Sequence, residues 1–135
     1  MSFSDFLENA VLDHIFGDGT LTVSAPVFLA LCTTQPTDAS TGSTIVEATY
    51  TGYARASVAA ADMSAAGSGS KTNSNAITFA ACTAGTSTIV GWAICTTAGT
   101  GTGNVLAKGN CTSTVVSTTQ TPATIAVSGL VVTLD

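Results

Sequence analysis

The chain has 135 residues, with three basic and eight acidic side chains against 25 threonines and 14 serines. A typical soluble domain is about a quarter charged, so this surface must consist largely of hydroxyl groups, small apolar side chains and backbone. Three isolated bases cannot form the clustered Lys/Arg surface that phosphate binding requires, which argues against nucleic acid and anionic membranes as partners. No run of residues approaches the ~20 apolar positions of a membrane span.

The length and the hydrophobic fraction of 45% predict one folded domain over residues 1–135. A secretion signal needs a basic start and an apolar core, whereas the acids Asp5 and Glu8 follow Met1 here. We therefore expect synthesis in the cytoplasm. A hydroxyl-rich, β-prone surface nevertheless suits the outside of a cell or particle.

Residues 3–16 are predicted to form an amphipathic helix. The apolar residues recur at the i, i+3, i+4 spacing of a single stripe, which consists of Phe3, Phe6, Leu7, Ala10, Val11, His14 and Ile15. Ser2 or Ser4 can cap the amino end, and Gly17 supplies a left-handed stop. The stripe either packs on the domain's own sheet, as one-sided helices commonly do, or docks onto a partner.

Everything after Gly19 is predicted to form short strands and polar turns. The predicted strands cover residues 20–23, 27–33, 45–50, 53–60, 75–81, 89–95, 105–108, 111–117, 124–127 and 130–134. Residues 27–33 are apolar on both faces, which is typical of a central strand. Turn signals about every 8–12 residues predict a mainly β domain: an antiparallel, jelly-roll-like β-sandwich over about residues 20–135, carrying the single N-terminal helix.

The sequence offers little for catalysis. The only histidine, His14, lies on the apolar stripe and is expected to be a partly buried structural residue. The Gly-Thr-Gly-Thr-Gly run of residues 99–103 lacks the lysine of a phosphate loop and the last glycine of a dinucleotide fingerprint, so it predicts a hairpin turn. We expect no catalytic residue, no metal site and no cofactor.

The four cysteines are Cys32, Cys82, Cys95 and Cys111. They include no CxxC pair of the kind that structural zinc sites use. Each is either a small buried hydrophobe or half of a disulfide formed after release from a reducing cytoplasm. Three pairings are possible, and the sequence does not choose among them.

Thr-x-Thr pairs raise a remote alternative, an ice- or surface-binding module. Alternation on a strand would place both threonines of a pair on one face. Four of these pairs begin at Thr20, Thr86, Thr100 and Thr112, but their spacing is irregular and some fall in predicted turns.

Several blocks resemble a family of small tailed-bacteriophage structural proteins. These blocks are residues 2–17, the strand and Pro-Thr-Asp loop of residues 27–38, the Gly-Tyr-Ala-Arg element of residues 52–55, residues 75–79, and the closing residues 130–135. Members are often labelled tail-fibre proteins, and similar small β-sandwich proteins decorate phage heads. The resemblance implies a non-enzymatic virion protein that is made in the host cytoplasm and reaches the particle surface without a signal peptide.

Between the two virion roles, the sequence favours capsid decoration. The chain is short for a fibre with separate attachment and tip domains, and it has no heptad or shaft repeat. We expect it to bind the major capsid protein lattice and to stabilise the assembled head as a cement protein; a tail or neck appendage is the alternative. We also expect a homo-dimer or homo-trimer, with candidate interface residues Phe3, Phe6, Leu7, Val11, Leu130, Val132 and Leu134.

Overall fold

The computed structural model describes residues 1–23 and 25–134; Ser24 and Asp135 of the predicted domain lie outside the described residues. The elements in chain order are β1 (Ser2–Phe3), α1 (Asp5–Phe16), β2 (Val27–Cys32), β3 (Ala56–Val58), a 3-10 turn (Ala60–Asp62), β4 (Ser70–Thr72), β5 (Ile77–Thr78), β6 (Thr86–Cys95), β7 (Val105–Ser117), β8 (Thr124–Ile125) and β9 (Val131–Thr133).

The largest unit is a five-stranded antiparallel sheet with the strand order β1-β7-β6-β2-β3. The two longest strands, β6 and β7, form a hairpin whose turn contains the glycine-rich run 99–103, as predicted. Gly101 and Gly103 both have positive φ in this turn, a conformation that glycine adopts without steric cost. The predicted strands 105–108 and 111–117 form one continuous strand, β7, which contains a β-bulge opposite Ile89 and Gly91.

Strand β2 lies between β6 and β3 and is buried on both faces, which confirms its prediction as a central strand. Leu29 and Leu31 belong to the main hydrophobic cluster on one face. Ala30 and Cys32 belong to a second, smaller cluster on the other. A strand with two buried faces carries an apolar residue at nearly every position, which is the pattern read from the sequence.

Two short ribbons, β4–β9 and β5–β8, complete the fold. Ile77 and Leu130 from the ribbon region join the main cluster with residues of the large sheet, so the ribbons form a second layer over that face. The structure confirms a mainly β, antiparallel fold with one N-terminal helix, and the two layers are arranged as in a β-sandwich. The finer jelly-roll topology stays a prediction.

The buried side chain of Asn73 joins the two ribbons. Its Nδ2 donates to the carbonyl oxygens of Asn75 and Ala126, both at 2.8 Å, and its Oδ1 accepts from the backbone N–H of Leu130 at 2.8 Å. Because Asn73 is fully buried, these bonds satisfy polar groups that water does not reach. They fix the path of the chain between β8 and β9.

Helix α1 begins at Asp5 and not at residue 3, so this predicted bound was wrong. Ser2 and Phe3 pair with β7 as strand β1. Because their backbone is extended and paired with β7, they cannot form the first turn of the helix. Ser4 is the N-cap: its Oγ accepts from the backbone N–H of Leu7 at 3.4 Å. Gly17 ends the helix in the left-handed conformation, as predicted.

Two other predicted strands are absent from the described residues. Residues 20–23 have no regular structure, and residues 45–50 make only an isolated bridge between Glu47 and Cys32. The second segment does not keep the strict alternation of a strand, because the adjacent residues Glu47 and Ala48 are both buried. Ile45 packs in the smaller cluster, whereas Ala48 and Tyr50 pack in the main cluster. The backbone of this segment forms hydrogen bonds with Leu31 and Thr33 around the bridge but does not extend into a ladder.

Candidate functional site

Two apolar depressions lie on either side of strand β9. The first, called here the helix groove, separates α1 from the C-terminal residues and has a volume of about 410 Å³; its lining includes Met1, Phe3, Glu8, Val11, Leu12 and Leu134. The second, called here the β9 cleft, has a volume of about 240 Å³; its lining includes Val27, Val58, Met63, Lys71, Leu130 and Val132.

The helix groove exists because β1 and the Ser4 cap fix where α1 begins. Phe3 pairs with Ala107 on β7, and the backbone N–H of Ser4 donates to the Leu106 carbonyl at 3.0 Å. The buried Ser4 hydroxyl also donates to the Val105 carbonyl. The helix therefore starts against the edge of the large sheet and leaves Val11 and Leu12 facing the last residues of the chain.

Large apolar side chains in this region are exposed to solvent. Leu12 is 52%, Leu134 63%, Ile15 65% and Phe16 76% exposed. Every residue of α1 is at least partly accessible, so the helix covers little of the sheet. Isolated exposed hydrophobes are ordinary, but a cluster around a groove typically marks an interaction surface.

Helix α1 and the turn after it carry acidic groups that form no ion pair with another described residue. Asp5, Glu8, Asp13 and Asp18 are exposed. The ion pairs among the described residues, Arg55–Glu47 and Lys108–Asp38, involve none of them. The apolar surface of α1 is thus bordered by negative charge without local compensation.

The structure distributes the predicted interface residues over four places. Phe3, Val11 and Leu134 meet in the helix groove, although they came from the two ends of the sequence. Leu130 and Val132 line the β9 cleft, where Leu130 is also part of the core. Leu7 is partly buried against the core, and Phe6 is exposed on another side of the helix, near residues 19–23. Sequence reasoning missed Leu12, Phe16 and Lys71, because these positions lie outside the predicted stripe and strand.

The four cysteines are free thiols. Cys32 and Cys95 share the smaller buried cluster, and burial raises the pKa of Cys32 to about 12 and that of Cys95 to about 11. Cys82 is buried, whereas Cys111 is exposed on β7. Disulfides between subunits in a particle stay a prediction.

A buried ion pair, called here the clasp, was not predicted. The Arg55 guanidinium donates to both carboxylate oxygens of Glu47, from Nε at 3.1 Å and from Nη2 at 2.8 Å, and the side chain of Arg55 is 0% exposed. Tyr53 donates its hydroxyl to Glu47 at 2.8 Å and accepts from the backbone N–H of Leu31 at 3.1 Å. Glu47 is thus held from two sides.

Arg55 also forms hydrogen bonds with two loops. Its Nη1 donates to the carbonyl oxygens of Thr97 and Thr102, at 2.9 and 3.0 Å, and its Nη2 donates to that of Gly42 at 3.3 Å. The backbone N–H of Gly42 donates to the Gly103 carbonyl at 2.9 Å. The clasp therefore anchors the loop that precedes residue 45 to the β6–β7 turn.

The electrostatics of the clasp favour the charged forms of both partners. Burial by itself raises the pKa of the Glu47 carboxyl, but hydrogen bonds from Arg55 and Tyr53 and the positive charge of Arg55 outweigh it and hold the pKa below its ordinary value. Burial and the bond to Glu47 raise the pKa of the Tyr53 hydroxyl. The arrangement stabilises structure, because no buried side-chain nitrogen or oxygen atom among the described residues lacks a hydrogen-bond partner.

The groups considered for chemistry are dispersed. His14 is exposed, not partly buried as predicted, and its Nδ1 accepts from the backbone N–H of Leu21 at 3.5 Å. Within residues 1–23 and 25–134, no three His, Cys, Asp or Glu side chains cluster as a metal site. Of the Thr-x-Thr pairs, those beginning at Thr86 and Thr112 lie on strands, whereas the other two lie in irregular segments, so the four pairs do not form one regular array.

No helix in the described part of the chain combines the length and apolar character needed to cross a membrane.

Comparison with known proteins agrees with the resemblance read from the sequence. The model of the family described as Podophage GP4 fiber I protein gp80 matches residues 2–133, which includes the helix, the β9 cleft, the clasp and all of the helix groove except Met1 and Leu134. No curated protein matches the chain. Because the family match extends over nearly the whole chain, it confirms a phage virion structural protein: the chain belongs to the podophage GP4 fiber I protein gp80 family.

Proposed function

We propose that this virion structural protein is a non-catalytic decoration subunit that binds the exterior of the assembled phage head and stabilises it. The observation that carries the proposal is the helix groove, in which Val11, Leu12 and Leu134 present apolar surface to solvent. In a particle protein, an exposed apolar groove of this kind can bind another subunit of the particle. The partner is the lattice of the major capsid protein.

The physical basis of attachment is burial of apolar area. Removing apolar surface from water contributes about 25 cal/mol per Å², and this contribution changes little with salt. Electrostatic contacts, by contrast, are screened over about 10 Å at 0.1 M salt. A chain with 11 charged residues in 135 therefore suits contacts that must persist in varied external conditions.

Stabilisation follows from selective binding. A protein that binds the assembled shell and not its dissociated parts shifts the equilibrium toward the shell. Micromolar affinity corresponds to about 8 kcal/mol per copy at the standard state. Particles without this protein should therefore assemble but rupture at a lower temperature than complete particles.

A tail or neck appendage is the second candidate, and the description of the family as a fiber I protein favours it. The compact fold favours decoration, because the described residues form a single helix packed at one edge of a β-sandwich, without an extended shaft. A decoration protein is present in many copies over the head, whereas an appendage is restricted to the tail or neck.

A reconstruction of the particle with the chain fitted into it, together with the copy number per virion, tests the proposal. Density for the chain on the head lattice, with α1 facing the major capsid protein, is the expected result. Density confined to the tail or neck would replace decoration with the appendage. Stripped particles that resist heat as well as complete ones, yet fail to adsorb to cells, would also contradict the stabilising role.

A further inference from the structure

The carboxyl end of α1 carries the two most exposed large apolar side chains among the described residues. Phe16 is 76% and Ile15 65% exposed, and Gly17 ends the helix directly after them. A helix holds these side chains in fixed directions, so little conformational freedom is lost when they bind. Aromatic side chains held in this way are common anchors at the centres of protein interfaces.

The β9 cleft has the size and lining to receive such an anchor. Its volume is about 240 Å³, and its walls include Val27, Val58, Met63 and Val132. An apolar cavity of about 150 Å³ is large enough to bind benzene. The volume of the cleft is therefore sufficient for a phenyl ring.

Charge complements shape at these two surfaces. Lys71, at the cleft, is exposed and forms no ion pair with another described residue. Asp13 and Asp18 lie on either side of Phe16 in the sequence and are likewise exposed and unpaired among the described residues. An apolar anchor flanked by carboxylates matches an apolar cleft that carries one ammonium group.

We infer that the occupant of the β9 cleft is a second copy of this chain, with Phe16 of one copy inserted into the cleft of its neighbour and Asp18 or Asp13 near Lys71. The anchor and the cleft are different surfaces of the molecule, so two copies can exchange the contact reciprocally about a two-fold axis, or successive copies can repeat it head to tail. Head-to-tail contacts form closed rings when the rotation between copies closes. In both closed arrangements, the two-fold dimer and the ring, every cleft is occupied.

Sedimentation velocity of the purified chain over a range of concentrations tests this contact. The wild-type chain should associate, and Phe16→Ser should lower the association constant about 30-fold, the loss typical of an aromatic hot spot of about 2 kcal/mol. Val46→Ser is the matched control, because Val46 is 50% exposed and lines neither surface. A wild-type chain that stays monomeric to its solubility limit, or equal association by Phe16→Ser and Val46→Ser, would overturn the inference.

A charge exchange gives a second, independent readout. Lys71→Asp should weaken association, and the double variant Lys71→Asp/Asp18→Lys should recover it, because opposite charges again face each other. If Asp13 is the partner, Lys71→Asp/Asp13→Lys recovers association in its place. Failure of both double variants, with each chain folded by circular dichroism, would contradict the proposed pairing.

Self-association and particle binding are separable in these experiments. A monomeric Phe16→Ser chain that still occupies particles retains the head attachment proposed above and loses only the contact between copies. A self-associating wild-type chain that does not bind heads would instead retain the contact between copies and contradict the decoration role.

Discussion

The clasp and the surface of α1 reverse the usual placement of charged and apolar groups. At the clasp, the chain buries Arg55 and Glu47 and occupies their hydrogen-bonding atoms. On α1, it exposes Leu12 and Phe16 and leaves neighbouring carboxylates unpaired. A buried, satisfied network favours one arrangement of the loops that it joins, whereas an exposed apolar surface is a place for another molecule. The comparison therefore separates residues that maintain the fold from residues available for assembly.

The largest effect is expected at the clasp. Arg55→Met should lower the free energy of unfolding by about 3–5 kcal/mol, because it leaves the Glu47 carboxylate buried without its partner. Urea unfolding followed by fluorescence measures the change, and Lys71→Met, at an exposed lysine, should change it by less than about 0.5 kcal/mol. The double variant Glu47→Leu/Arg55→Met should be more stable than Arg55→Met alone, since it removes the orphaned charge. Equal stabilities for Arg55→Met and Lys71→Met would show that the clasp contributes nothing.

The second-largest effect on stability is expected at Gly42, where two backbone segments lie close together beside the clasp. A Cβ atom at Gly42 would lie 1.9 Å from the carbonyl oxygen of Thr102, so Gly42→Ala must push apart two loops that Arg55 joins. We expect a loss of about 1–3 kcal/mol, as for other overpacked sites. Gly67→Ala is the control, because a Cβ there meets no atom within 4 Å. Similar unfolding midpoints for the two variants would contradict this close packing.

The clasp also predicts how stability depends on pH. Because the pKa of Glu47 is lowered in the folded state, its contribution is fully present above its unfolded pKa of about 4.3 and is lost as the pH falls through the lower folded value. Asp38, which is exposed, and Asp62, which is half-buried, also have lowered pKa values, through hydrogen bonds with Lys108 and Asn75 respectively. Urea unfolding between pH 7 and 2 should therefore show a steeper acid loss for the wild type than for Glu47→Leu/Arg55→Met. Parallel curves would mean that Glu47 has an ordinary pKa.

The smallest effect is expected in the reactivity of the four thiols, which differs between the buried and the exposed cysteines. Cys111 is exposed, whereas Cys32, Cys82 and Cys95 are buried. Burial raises the thiol pKa values of Cys32 and Cys95 to about 12 and about 11, which suppresses the reactive thiolate. A thiol reagent at neutral pH should therefore modify Cys111 first, and mass spectrometry of tryptic peptides identifies the site. Rapid modification of Cys32 or Cys95 in the folded chain would contradict the burial of these thiols in the smaller cluster.

The regular parts of this fold could be predicted from the sequence. Apolar spacing indicated the helix, Gly17 indicated its end, and the two-faced apolar pattern of β2 indicated a central strand. The start of α1 could not be predicted, because pairing of Ser2 and Phe3 with β7 depends on residues more than a hundred positions away. Local periodicity carries no information about such a partner.

The candidate site was predictable only in part. Apolar patterns selected Val11 and Leu134, but their meeting in one groove follows from tertiary structure. The clasp had a weak signal: Arg55 is the only arginine of a sparsely charged chain and lies in the Gly-Tyr-Ala-Arg element shared with the family resemblance. That signal did not identify Glu47 as its partner, because eight acidic residues were available.

Occupancy of the particle by Leu12→Asp tests most directly the claim that the helix groove attaches the protein to the head. Leu12 is 52% exposed in the groove, and Val127→Asp is the matched control at 56% exposure outside it. We predict that both variants unfold within about 0.5 kcal/mol of the wild type, as surface substitutions usually do, and that Leu12→Asp alone is largely lost from purified particles. Equal occupancy by the two variants would contradict attachment through the helix groove.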